Sequence, residues 1–163
     1  MLAAVVGCGV LGTADRAIAT TDVADGSALD REERTLSFER ISPEEAQGLM
    51  EEGHVYLDVR TEEEFAGGRV PGSVNIPVFT RGPMGMQPNP SFLEQVNTRF
   101  PKDSALITAC LRGGRSMRAA QMLVDDGYTQ VVDMRGGYDA ELDPGGNVSY
   151  PGWARRGLPT ESD

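Results

Sequence analysis

Apolar positions along the chain switch repeatedly between a period of two and a period near 3.6, and each switch marks an element. Leu36-Ser37-Phe38-Glu39-Arg40-Ile41 alternates as a short edge strand does. Ser42-Pro43-Glu44-Glu45 then opens a helix: serine stands at the N-cap, proline at the first helical position, and Glu45 where a capping box needs it. That helix is expected to run to Glu52, with Gly53 as its stop. His54-Val55-Tyr56-Leu57-Asp58-Val59-Arg60 reads as a strand, apolar in its middle and closing on an acid and a base. Thr61 caps a second helix whose first turn carries Glu62, Glu63 and Glu64, where the helix dipole favours acids, and Gly67-Gly68 ends it. Val70-Pro71-Gly72-Ser73 is a turn, and Val74-Asn75-Ile76-Pro77 a very short strand. Between Val78 and Pro90, Gly82-Pro83, Gly85, Pro88 and Pro90 predict a surface loop of about a dozen residues, long enough to cover a site or to be an insertion without chemistry.

The second half repeats the alternation. Ser91 to Phe100 places Phe92, Leu93, Val96 and Phe100 on one side of a helix, and Pro101 breaks it. Ala105-Leu106-Ile107-Thr108-Ala109 has the length and content of a buried strand. Ser116 to Asp126 is helical in pattern, Gly127 stops it, and Gln130-Val131-Val132-Asp133-Met134 is the last strand. Gly136-Gly137 starts a final turn or helix. Asp143-Pro144-Gly145-Gly146-Asn147 and Pro151-Gly152 are too rich in breakers for regular structure, with Trp153 and Leu158 expected to fold back on the core. Strands alternating with helices give an α/β fold with a mostly parallel central sheet of about five strands and helices on both faces.

In such a sheet ligands bind beyond the carboxyl ends of the strands, and Cys110 falls there, on a strand-to-helix turn. Gly113 and Gly114 let backbone N–H groups converge beside the sulfur. The positive end of the following helix and the guanidinium groups of Arg112 and Arg115 add to the field, and both effects favour thiolate over thiol. The turn predicts a reactive cysteine.

Composition narrows what that cysteine serves. The 163 residues suffice for one domain with a leader, and the net charge of −10 argues against a nucleic-acid or anionic-membrane surface. With two cysteines, Cys8 and Cys110, and one histidine, His54, neither a disulfide framework nor a metal array is expected, and no cofactor is called for. Residues 1–34 read as a leader plus flexible linker, 35–160 as the domain and 161–163 as a tail. Leu2 to Gly12 has the length of a signal-peptide apolar segment, Ala17-Ile18-Ala19 resembles a cleavage site, and Val5-Val6-Gly7-Cys8 resembles a lipoprotein box. Export to the periplasm or envelope is the expectation, through a signal or lipid anchor, with a cytosolic leader as its alternative. A monomer is expected.

Several motifs together resemble the rhodanese family of sulfurtransferases in its single-domain form. Tyr56 to Arg60, Glu64-Phe65, Gly68-Arg69-Val70-Pro71-Gly72-Ser73 and Asn75-Ile76-Pro77 are similar to the family's first signature. Cys110 to Ser116 is similar to its active-site loop. Ala119-Ala120, Leu123, Gly127-Tyr128, Val131, Gly136-Gly137 and Gly157-Leu158-Pro159 match the closing half. The likeness runs from Leu36 to Thr160. Two departures stand out: Arg69 replaces a usual histidine, and Asp143 to Tyr150 is an insertion before the tryptophan.

The resemblance implies a three-layer fold and a sulfur relay. Cys110 would take the outer sulfur of thiosulfate or a related donor, hold it as a persulfide, and pass it to cyanide or a thiol; no histidine base is needed if the thiolate is already favoured. Leu111, Arg112, Gly113, Gly114, Arg115 and Ser116 would form the substrate loop, Arg115 holding it and drawing anions and Arg112 facing solvent. Asp58, Arg60 and Arg69 would support the site. Two alternatives stay open. Cysteine phosphatases and related arsenate reductases place the loop arginine six positions after the cysteine, whereas Arg115 comes at the fifth; a non-catalytic rhodanese module often lacks the cysteine.

Overall fold

Two capping boxes fix the starts of the first two helices, as the sequence pattern requires. The structure is a computed structural model that describes residues 37–163. The leader, its lipoprotein-like run with Cys8, the linker and the domain boundary at 34/35 lie outside the described residues. Strand β1 (Glu39–Ile41) leads through Ser42 into helix α1 (Pro43–Glu51), where the Ser42 hydroxyl accepts from the Glu45 N–H and Glu45 answers on the Ser42 N–H. Strand β2 (Val55–Asp58) is followed by helix α2 (Glu62–Ala66), with Thr61 and Glu64 forming the same reciprocal cap. Next come β3 (Val74–Asn75), β4 (Phe79–Gly82), β5 (Gly85–Pro88) and α3 (Phe92–Arg99). Then follow β6 (Ala105–Ala109), α4 (Gly114–Asp125), β7 (Gln130–Met134), β8 (Ala140–Leu142), β9 (Val148–Pro151) and a 3-10 turn, Ala154–Arg156.

The central sheet has five strands in the order β1-β7-β6-β2-β3, every pair parallel. From β2 the chain steps outward to β3; from β6 it steps the other way to β7. The order therefore reverses between β2 and β6, and parallel sheets open a crevice at such a point. Alternate side chains serve opposite faces. Leu57, Val59, Leu106, Cys110 and Val131 meet Phe92 and Val96 of α3 and Ala119, Ala120 and Leu123 of α4. Tyr56, Ile107, Ala109 and Met134 meet Ala46 of α1 and Trp153 on the other side. These are the three layers expected. Trp153 folds back as predicted: it is buried, its indole N–H donates to the Pro159 carbonyl at 2.7 Å, and its ring stands edge-on to Tyr56.

Three local expectations are corrected. Residues 78–90 are a β-hairpin, β4 and β5, with Gly82 paired to Gly85 across Pro83-Met84; the breakers sit at the turn, and Phe79-Thr80-Arg81 and Met86-Gln87 supply strand residues on either side. Asp143 to Tyr150 is likewise ordered. The Asp143 carboxylate accepts the Asn147 N–H at 2.8 Å and closes a turn that joins β8 to β9 in antiparallel register, so the breakers bend the chain without dissolving it. Helix α4 begins at Gly114, two residues ahead of Ser116, because Gly113 takes the left-handed conformation (φ 91°) that turns the chain into the helix. At the end of the chain Glu161 and Arg69 exchange both backbone hydrogen bonds, at 2.8 and 3.0 Å.

Candidate active site

Cys110 follows the last residue of β6, and its side chain is 2% exposed. The Gly113 N–H donates to its sulfur at 3.1 Å. The turn through Leu111 and Arg112 aims that N–H back at the residue three positions earlier, and the left-handed conformation of Gly113 then turns the chain into α4. Helix α4, 12 residues long, then leaves with its N-terminal end at the same loop.

The loop is held from below by backbone. The Tyr138 N–H donates to the Cys110 carbonyl at 2.7 Å and the Asp139 N–H to the Leu111 carbonyl at 3.0 Å. Gly137, at φ 59°, lies so close that a Cβ there would stand 2.4 Å from the Cys110 carbonyl oxygen. Only glycine allows that approach. The pair Gly136-Gly137 after β7 is thus the floor of the loop.

Its sides are held by charge. Arg115, in the first turn of α4, donates through both terminal nitrogens to the two Glu64 oxygens, at 2.6 and 2.7 Å. Glu64 also accepts the Thr61 N–H at 3.0 Å, so one carboxylate caps α2 and clamps the loop. Partial burial pushes the Glu64 carboxyl up, yet Arg115 and Thr61 together bring it down to about 2. The Arg115 guanidinium is in turn held above its ordinary value, first by the Glu64 hydrogen bonds against desolvation, and to a lesser degree by Cys110. Arg112 is exposed and makes no ion pair among the described residues. Leu111 is half-buried, Gly114 exposed, and Ser116 buried with its hydroxyl donating to the Gly113 carbonyl at 2.9 Å.

Asp58 and Arg60 form a buried pair, with Arg60 Nε 3.0 Å from both carboxylate oxygens and Nη2 2.6 Å from one. The same guanidinium donates to the carbonyls of Gly68 at 2.7 Å and Glu64 at 3.2 Å, and lies 4.3 Å from the Tyr138 ring centre. It therefore joins the end of β2, the exit of α2 and the residue whose N–H holds Cys110. Arg69 is placed otherwise. Its ion pairs are with Glu161 at 2.9 Å and Asp163 at 2.8 Å, and none reaches the loop. The β4–β5 hairpin stands beside α4, with Phe79 5.3 Å from the Arg118 guanidinium, and walls a cleft of about 230 Å³ against the start of α2.

Sequence reasoning assigns no supporting role to Glu64 or Gly137, although both stand in the motifs that carry the resemblance, nor to Tyr138 or Asp133. Asp133 carried a readable signal, a lone acid inside the apolar run Val131 to Met134. Glu64 reads as one of three first-turn acids and as part of the Glu64-Phe65 motif, and neither shows that its carboxylate reaches Arg115.

The family description "Rhodanese-like domain" matches residues 42–141. The chain belongs to the rhodanese family. It is similar to Thiosulfate sulfurtransferase 16, chloroplastic, of Arabidopsis thaliana, at 43% identity over 122 residues that cover 75% of this chain and 92% of that protein. Protein HIGH ARSENIC CONTENT 1, mitochondrial, of the same plant is 40% identical over 127 residues, covering 77% of this chain and 75% of that one. Among solved rhodanese-like folds, the crystal structure of Rv0390 from M. tuberculosis superposes with a TM-score of 0.64 at 28% identity, over 78% of this chain and all of that one. The matched span takes in the loop, its floor and the Glu64 clamp.

Proposed function

We propose that this rhodanese is a sulfurtransferase that carries a sulfane sulfur from thiosulfate or a related donor to a thiophilic acceptor through a persulfide on Cys110. The observation that carries the reading is the sulfur itself: Cys110 sits at the carboxyl end of the central strand with a backbone N–H aimed at it from 3.1 Å. The name of the Arabidopsis relative, a thiosulfate sulfurtransferase, supports the same reaction. In the first half, the thiolate attacks the outer sulfur of thiosulfate. A new S–S bond forms, the old one breaks, and sulfite leaves with its electron pair. In the second, cyanide or a thiolate attacks that outer sulfur and Cys110 departs as thiolate. Loop amides such as that of Gly113 favour the anionic sulfur at both stages.

The two loop arginines divide the work. Arg115 has most of its charge offset by Glu64, so it orients the loop; Arg112, exposed and without an acid partner among the described residues, draws the donor anion in. Engagement of both Arg115 terminal nitrogens by Glu64 also counts against phosphoryl transfer, which would need that guanidinium for the transferred group. The test is the mass of the intact protein after thiosulfate treatment. A gain of one sulfur, absent in Cys110→Ser, is expected. An unmodified wild type, or a gain that persists in Cys110→Ser, overturns the proposal.

A further inference from the structure

Sulfur transfer as described assigns no part to the β8–β9 hairpin, which contains the segment Asp143 to Tyr150 that departs from the family pattern. Glu141, the middle residue of β8, is half-buried and pairs across the hairpin with Tyr150. The Tyr150 ring lies 4.1 Å from the Arg135 guanidinium, and Arg135 Nη2 stands 3.4 Å from Glu141 Oε2. The other carboxylate oxygen, Oε1, accepts from two separate parts of the fold: Arg40 Nη2 of β1, and the Gly136 N–H at 3.2 Å. Arg40 is fixed in its turn, since its Nε donates at 2.9 Å to Oδ2 of the wholly buried Asp133. The Arg40–Glu141 pair is thus anchored at both ends.

What the pair touches is Gly113. A Cβ built on that glycine would stand 3.2 Å from Arg40 Nη2, 3.2 Å from Glu141 Oε1 and 3.6 Å from Glu141 Cγ, so the ion pair packs where a side chain would be. Gly113 is the residue whose N–H meets the Cys110 sulfur, and a glycine at φ 91° has other conformations open to it unless its surroundings close them. The remaining supports act on its neighbours or on its far side. The Gly137 floor lies under Cys110, Leu111 and Arg112, the Glu64 clamp holds Arg115, and the Ser116 hydroxyl and Met117 N–H hold the Gly113 carbonyl from the helix. The open flank of Gly113 is left to Arg40 and Glu141.

We propose that Glu141, carried to the loop by the β8–β9 hairpin, is a positioning residue: with Arg40 it forms a wall that keeps the Gly113 N–H aimed at the Cys110 sulfur. The wall acts by reach and contact, not by its charge, which Arg40 offsets. The hairpin thereby gains a purpose, since Tyr150 and Arg135 hold Glu141 against the loop from behind. The proposal deepens the sulfurtransferase reading and rests on it only for its effect on rate.

The test compares three replacements in the full chain, each under conditions where urea unfolding shows it folded. Glu141→Gln keeps an oxygen acceptor at full reach and loses the charge; Glu141→Asp keeps the charge and loses a methylene of reach; Glu141→Ala loses both. The Gly113 amide, followed by NMR with no donor present, is expected to keep its wild-type shift and exchange in Glu141→Gln. In the other two it should move and exchange with solvent at least about tenfold faster. In single-turnover loading, the rate at saturating thiosulfate should fall at least about tenfold in Glu141→Asp and Glu141→Ala, with the half-saturating concentration within about twofold of wild type, and should recover to within about threefold in Glu141→Gln. A merely structural role would lower the urea midpoint and leave the amide and the saturating rate of the folded protein unmoved. An unchanged Gly113 amide or a wild-type loading rate in Glu141→Asp and Glu141→Ala, or a loss in Glu141→Gln as large as theirs, overturns the proposal. A wild type that takes up no sulfur, beside the expected amide pattern, would sink the sulfurtransferase reading and leave the wall standing.

Discussion

Replacing Gly137 by alanine tests whether the loop rests on the backbone after β7. The added Cβ would lie 2.4 Å from the Cys110 carbonyl oxygen, 2.7 Å from the Leu111 carbonyl carbon and 2.8 Å from the Arg112 nitrogen. All three are main-chain atoms, so no side chain can swing aside to relieve the contact. Three costs add. The positive φ of 59° charges an L-residue about 1 kcal/mol. Forcing atoms into a filled space costs about 1–3 kcal/mol. Retreat of the loop stretches the hydrogen bonds from Tyr138 and Asp139, at about 1 kcal/mol each if both are lost. Since retreat relieves the overpacking, the terms do not fully sum, and about 3 kcal/mol is the expected loss. That is a large part of a typical stability of about 5–15 kcal/mol. Urea unfolding followed by the fluorescence of buried Trp153 measures it, and intact mass after thiosulfate reads the site, where loading should slow at least about tenfold. Gly48→Ala in α1 is the control: its Cβ would meet nothing, and a gain of about 0.4–1 kcal/mol with unchanged loading is expected. Gly137→Ala with wild-type stability and loading would refute the account of the floor.

Two further substitutions address the charges. Asp58→Asn leaves the Arg60 guanidinium buried without its carboxylate and should cost about 3–5 kcal/mol in urea unfolding, since carbonyl acceptors at Gly68 and Glu64 do not replace a charge; an unchanged midpoint would contradict this. For Glu64 the sign follows from its lowered carboxyl. The native state binds fewer protons than the unfolded chain between the ordinary value of 4.5 and about 2, so its contribution is complete above that window and lost as pH falls through it. Thermal midpoints between about pH 5 and 2 should therefore fall less steeply in Glu64→Gln than in wild type, and parallel slopes would count against the clamp.

What the sequence made legible was whatever a local rule determines. Ser42-Pro43 with Glu45 and Thr61 with Glu64 are complete capping signals, and both helices start where those signals stand. Apolar runs of strand length at β2, β6 and β7 assigned the sheet, and the turn at Cys110 stood out because a cysteine, two glycines and two arginines coincide within six residues. Breaker-rich segments were legible only in part. Gly82-Pro83 and Asp143-Pro144 announce turns, but whether the flanks pair across them depends on neighbours the turn does not name, and in both cases a hairpin formed. Which charged side chains pair across distant segments was not legible. Arg115 and Glu64 are 51 positions apart, and Arg69 finds Glu161 and Asp163 more than ninety positions on.

That limit bears on the two loop arginines, for which the family resemblance implied that Arg115 holds the loop and Arg112 faces solvent without naming what would lie opposite either. Both lie within five positions of Cys110 and both carry a full charge, so charge and spacing alone do not separate them. The fold separates them by what lies opposite. Arg115 meets a carboxylate fixed by its own helix cap, and its charge is spent on geometry; Arg112 meets no acid among the described residues and keeps its field for the solvent. The same division appears beneath the loop, where Arg40 is bound between Asp133 and Glu141. The cations packed around the loop, Arg40, Arg60 and Arg115, are thus each held by a carboxylate, and the loop's other guanidinium, Arg112, is exposed and meets no acid among the described residues.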